Sequence, residues 1–183
     1  MNNLSFWAML RTYRYVGPKS IAGRSSMLPL GAVINSAHDV IRWIRQNGSQ
    51  RGTLARLTAT FVVDEQGRLR LADRHSEHVA CAGGKPIQAA GEMTFLLHPA
   101  QLFVEEVTNQ STGYCPEPDS WQAVAQALSG AGISGPAGYT TEFQFRRCPG
   151  CAAINVVKDQ VFECTICGAG LPEAWNCDSE AEG

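Results

Sequence analysis

At 183 residues, with 44% hydrophobic and 17% charged side chains, the chain is long enough for one ordinary core plus a small module and too short for two domains of typical size. No apolar run approaches the roughly 18 residues that span a bilayer, so no membrane segment is expected. The apolar start, residues 1–10, has neither a basic leader nor a small-residue cleavage site, and the seven cysteines are odd in number; both features point to a reducing, cytoplasmic setting.

A net charge of −2 conceals an uneven distribution. Through residue 57 eight basic residues meet a single acid, Asp39, for a balance of +7, and the remainder carries −9. Such a field attracts phosphate or an acidic partner. Basic residues this widely spaced also dock on the acidic part of their own chain or stay solvated.

Taken in order, residues 5–16 mix aromatics with arginine (Phe6, Trp7, Tyr13, Arg14, Tyr15), a composition that anchors a segment to a core or stacks on bases; anchoring is the expectation. Residues 17–35, with Gly17, Pro18, Gly23, Pro29 and Gly31, read as a loop. The first helix is expected over 36–46, capped by Ser36, with Asp39 returning the bond and Gly48 past the last turn. Val40, Ile41 and Ile44 form its core stripe with Trp43 at the edge. Arg42 and Arg45 face outward, and a nucleic-acid contact would run through them, although a protein partner is favoured. Residues 46–56 are a polar loop with a soft boundary at its end.

Residues 58–72 form the clearest hairpin, turning at Asp64-Glu65-Gln66-Gly67, with Leu69 and Leu71 alternating with Arg68 and Arg70. Further strands are expected at 93–97, 102–109 and 141–146. The second helix, 120–129, takes Asp119 as cap with Gln122 completing a capping box, and turns Trp121, Val124 and Leu128 inward. Residues 130–138 are a glycine-rich connection. The acidic tail 178–183 reads as disordered.

Two polar stretches in the middle carry groups able to move protons or hold a ligand. In the first, 74–81, a strand reading puts His75, Glu77, Val79 and Cys81 on one side and His78 on the other, and Gly83-Gly84-Lys85-Pro86 undercuts a helix. His75 and Glu77 are similar to the His-x-Glu half of the zinc deaminases, but no proline precedes a cysteine pair as the other half requires. In the second, 108–115, Asn109, Ser111, Thr112 and Tyr114 supply donors and acceptors at a strand exit, and Cys115 is a candidate thiolate. Such residues are also ordinary turn formers. The loop 109–115 is expected to line the main pocket, with Glu77 and Glu92 opposite. The catalytic candidates are His75, Glu77, Glu92 and Cys115.

The most specific motif lies at the end. Cys148-Pro149-Gly150-Cys151 is followed by twelve residues and then Cys164-Thr165-Ile166-Cys167. Two tight Cys-x-x-Cys turns bring four thiolates to one ion, the requirement of structural zinc. Between them the β-prone runs 154–157 and 160–163 flank Lys158-Asp159, a polar turn suited to a hairpin. This stretch resembles the zinc-ribbon class of metal modules. The resemblance implies one structural Zn2+ per chain, held by Cys148, Cys151, Cys164 and Cys167.

The fold class expected is therefore α+β: an antiparallel sheet with two helices and an appended C-terminal zinc ribbon. The divisions are a basic segment 1–57 packed on the core, a central domain 58–145, the ribbon 146–177 and the tail 178–183. The function expected is a non-catalytic binding or regulatory component; the alternative is a hydrolase or transferase with a pocket built from 75–81, Glu92 and 109–115.

Overall fold

A computed structural model describes residues 10–48, 55–99 and 101–178; Phe6, Trp7, Arg51 and the tail 179–183 lie outside the described residues. The elements run α1 (Lys19–Ser25), β1 (Ala32–Ile34), α2 (Ala37–Asn47), β2 (Ala55–Asp64), β3 (Leu69–Asp73), α3 (His78–Cys81), β4 (Ile87–His98) and β5 (Gln101–Val107). A 3-10 turn at Pro118–Ser120 then leads into α4 (Trp121–Gly130), followed by β6 (Gln144–Arg147) and β7 (Ile154–Val157). The class is α+β, with four helices and two sheets among the described residues.

The larger sheet has the order β1-β3-β2-β4-β5, every neighbouring pair antiparallel. Its centre, β2, is buried continuously from Ala59 to Asp64 because both of its faces are covered. On one face Phe61, Val63, Leu71, Met93 and Phe95 pack against Val40, Trp43 and Ile44 of α2 and Val124 and Leu128 of α4. On the other, Val62 and Ala90 meet Val79 and Cys81 of α3, with Tyr13, Ile87 and Tyr114. Tyr13 pairs with Ile87 through two backbone hydrogen bonds, so the aromatic segment near the start is anchored to β4.

Several expectations are corrected. Residues 17–35 are not one loop: α1 starts directly after Pro18, and β1 pairs with β3 at the sheet edge. Proline's fixed φ suits the start of a helix, and Ile21 and Ala22 give this short one an apolar contact with the second face. Residues 78–81 form a helical turn rather than a strand. The glycines read as undercutting it instead end it, since Gly83 and Gly84 both take positive φ and the Gly84 amide bonds the Val79 carbonyl.

In α2, Ser36 caps as expected, its Oγ accepting from the Asp39 amide at 3.3 Å, but Trp43 is buried and Ile41 only half so. At α4 the capping box does not form: Pro118–Ser120 coil into the 3-10 turn, and Asp119 Oδ1 accepts instead from the Tyr13 hydroxyl at 3.2 Å. Strand β4 starts six residues before the expected residue 93, at Ile87.

The hairpin turn holds a buried carboxylate. Asp64 Oδ1 accepts from the amides of Gln66 and Arg68, both at 3.0 Å, and Oδ2 from Arg68 Nε and Arg70 Nε, both at 2.9 Å. Burial pushes its pKa up, but the backbone and guanidinium donors outweigh burial and hold it below the ordinary carboxylate value. Its stabilising contribution is therefore complete above the unfolded-state pKa near about 3.9 and fades as pH falls through the folded value. Asp64→Asn should lose about 2–3 kcal/mol of stability at neutral pH in urea denaturation, and the gap from wild type should shrink as the pH is lowered below about 4.

Candidate metal centre

The C-terminal unit is a pair of nearly identical turns on a short hairpin. Strands β6 and β7 pair from Gln144↔Val157 to Arg147↔Ile154, placing Cys148 at the end of β6. In the first turn the Cys148 amide bonds the Ala153 carbonyl at 2.8 Å and the Ala152 amide returns to the Cys148 carbonyl at 2.9 Å. In the second, the Cys164 amide bonds the Ala169 carbonyl at 2.8 Å and the Gly168 amide returns to the Cys164 carbonyl at 2.9 Å.

The closing residue takes a left-handed φ in both, 60° at Ala152 and 73° at Gly168. Glycine adopts that region freely, whereas at Ala152 the first turn is closed against its Cβ. Between the turns the hairpin reverses one residue later than expected. Asp159 and Gln160 have φ of 50° and 59°, the signature of a type I′ turn, and Lys158 bridges Val161.

These turns bring the Sγ atoms of Cys148, Cys151, Cys164 and Cys167 within 4.8 Å of one another. The Cys148–Cys167 and Cys151–Cys164 separations are 3.5 and 3.6 Å. A disulfide needs about 2.05 Å, whereas four sulfurs about 2.3 Å from a central ion in tetrahedral array stand roughly 3.8 Å apart. The spacing fits a metal tetrahedron, consistent with the ribbon-like site expected from the sequence.

The donors act unevenly on the sulfurs: they favour a thiolate at Cys164, whereas at Cys151 and Cys167 the Ala153 and Ala169 amides are outweighed by burial and the neighbouring sulfurs, which leave both raised. The Gly150 amide lies 3.3 Å from Cys148 Sγ and Asn155 Nδ2 lies 3.5 Å from Cys164 Sγ. The Cys167 and Ile166 amides, helped by Cys148 and Asn155 and opposed by burial, hold the Cys164 thiol down to about 6. A group of this kind is ionised at neutral pH and ready to ligate.

Comparison with protein-family models, curated proteins and solved structures returns no match for this chain. The site is accordingly read from its own geometry. Among the described residues the four cysteines are the one group of His, Cys, Asp and Glu side chains close enough to share a metal ion.

The other candidates are placed as follows. His75 and Glu77 are exposed, and Glu92 on β4 stands 3.8 Å from Arg74 Nε. His78, on α3, sets Nε2 3.0 Å from the Gly91 carbonyl, and burial lowers its pKa against the pull of that bond and of Glu77 and Glu92. Gly91 is where the two polar stretches approach: any Cβ there would strike the Thr108 carbonyl oxygen, so only glycine lets the exit of β5 close on β4.

The loop 109–115 is occupied with its own chain. Asn109, wholly buried, donates from Nδ2 to the Pro116 and Phe143 carbonyls at 2.9 and 2.8 Å and accepts from the Phe143 amide at 2.7 Å. The Tyr114 hydroxyl donates to the Lys85 carbonyl at 2.8 Å, and the Cys115 thiol to the Thr112 carbonyl at 3.3 Å. Thr112 is exposed, and Ser111 is buried with no hydrogen-bond partner for its Oγ. Two surface hollows, one beside Asp64, Arg70 and Lys85 and one beside Arg11, Gln88 and Asp119, are lined by other residues.

Arg42 contacts Asp39 of its own helix at 3.3 Å, and Arg45 is exposed. Arg56 bonds Glu105 and Glu106 at 2.6 and 2.8 Å, so part of the basic set engages the acidic part of the chain.

Residues that sequence reading passed over do much of the positioning. Asn155 ties the hairpin to the second turn: its Oδ1 accepts from the Thr165 amide at 3.0 Å while Nδ2 reaches Cys164 Sγ. A lone amide side chain within the β-prone run 154–157 was the available signal. Asn155→Ala should weaken metal retention about tenfold, in line with the loss of a group that orients a ligand, read by competition with a chromophoric chelator.

Proposed function

We propose that the protein is a zinc-binding component whose C-terminal ribbon, cross-linked by one structural Zn2+ on Cys148, Cys151, Cys164 and Cys167, presents a docking surface to a partner protein. The observation that carries this reading is the convergence of four sulfurs, two of them with N–H donors beside them, an all-sulfur donor set that suits zinc. With four protein ligands the tetrahedron is complete, so the metal's contribution is to fold and stiffen the ribbon rather than to hold a reacting water.

Docking is supported by what the ribbon exposes. Ile166, in the second turn, is 74% exposed and Val161, beside the hairpin reversal, 58%. Apolar side chains held out on a metal-stiffened frame lose little freedom when covered, which favours association. The engagement of Asn109, Tyr114 and Cys115 with nearby carbonyls leaves the loop 109–115 a structural part of the central sheet's exit, and the binding reading does not draw on it.

The purified protein should contain about one zinc per chain, measured by elemental analysis, and Cys148→Ser with Cys164→Ser should abolish it. Zinc content unchanged in that double variant would overturn the assignment. For the docking surface, Ile166→Asp should retain zinc yet lose whatever protein co-purifies with the wild type; an unchanged set of co-purifying proteins would remove the ribbon tip from the reading.

A further inference from the structure

Two cysteines that the metal centre does not use meet in the interior. Cys115, at the end of the 109–115 loop, and Cys177, past the metal ligands, are both wholly buried and share one small cluster with Phe145. Both main chains are tied at the same place: Trp175 Nε1 donates to the Cys115 carbonyl at 2.7 Å and Arg147 Nη2 to the Cys177 carbonyl at 2.9 Å. The Nε–H of Arg147 is buried there without an acceptor.

The neighbouring Cys115, against burial and with help from Arg147 and Arg146, holds the Cys177 thiol below its ordinary value, while Cys177 and burial push Cys115 up. The pair thus has one nucleophilic sulfur and one proton-holding sulfur. Cys81 differs: it is buried at the end of α3 with the Arg70 carbonyl at 3.9 Å, and burial pushes its thiol up to about 12.

We propose that Cys115 and Cys177 are a reversible disulfide site, whose oxidation joins the segment after the ribbon covalently to the 109–115 loop. That segment has no helix or strand of its own, and Asp178, next to Cys177, is exposed, so a local opening presents the Cys177 sulfur without disturbing the sheet.

The oxidant is a small aliphatic disulfide. The Cys177 thiolate attacks one of its sulfurs; a mixed disulfide forms, the reagent's S–S bond breaks, and its other half departs as thiolate. The Cys115 thiolate then attacks the Cys177 sulfur, breaking the mixed bond and releasing the second half. Two electrons pass from the two cysteines to the reagent, and the two thiol protons end on the reagent's thiolates. The proposal does not depend on which partner the ribbon takes.

The test uses the full-length, metal-loaded protein, treated with oxidised glutathione, alkylated, digested and mapped by mass spectrometry. The expected product is a linked pair of peptides carrying Cys115 and Cys177, with the intact mass lower by about 2 Da for the two hydrogens lost. Metal content should be unchanged, dithiothreitol should reverse the bond, and Cys177→Ser should prevent it. The proposal is overturned if the native protein gains only glutathione adducts, if it oxidises only after denaturation, or if the bond formed uses Cys81 or any of the four metal-site cysteines.

Discussion

Four thiols held within 4.8 Å of one another are a constraint that the C-terminal unit does not meet by packing alone. Two thiolates about 4 Å apart repel by about 4 kcal/mol at the effective dielectric of a protein surface, and amide donors offset only part of that. A divalent cation at their centre would turn that net repulsion into attraction. The apolar contents of the unit are small, with Cys148, Cys164 and Leu171 buried and Val157, Phe162 and Ala169 partly so. Metal binding would then supply much of the folding free energy, as in other modules of this size.

The same unit is seated on the central sheet by a buried cation. Arg146, 4% exposed, donates to the Phe145, Pro172 and Glu173 carbonyls and pairs with Glu117 at 2.8 Å, just before the 3-10 turn that leads into α4. A charge this deep persists because its donors are matched with acceptors, and removing one partner would leave it uncompensated. Trp175 extends the seat: its ring meets Tyr13 edge-on, and the Arg11 guanidinium lies 3.9 Å from the ring centre. The segment around Arg11 and Tyr13, the approach to α4 and the segment after the second cysteine turn are thereby joined at one place. The two buried cysteines lie beside it.

Much of this was legible where local chemistry decides structure. Alternation over residues 58–72 foretold β2 and β3, the Ser36 cap foretold α2, and paired cysteine spacing foretold the convergence of the four cysteines. What was missed depended on tertiary contacts. Helix α1 is only seven residues long and relies on the second face of the sheet, and β1 is three residues that pair only because β3 is there. The polar stretches 74–81 and 108–115 looked like a site because Asn, Ser, Glu and His serve turns and catalysis equally well. In the fold, Thr60 Oγ1 donates to the Arg74 and Ser76 carbonyls, and Asn109 stitches the β5 exit to Phe143. Nothing local in the sequence marks Arg146 as a charge that will meet several carbonyls rather than water.

The account stands most directly on the identity and ligand set of the ion. X-ray absorption at the zinc edge of the purified protein, fitted for its nearest shell, measures both at once. The account predicts four sulfur neighbours at about 2.3 Å and no lighter scatterer in that shell. A shell containing nitrogen or oxygen, or a protein without a zinc edge, would contradict it.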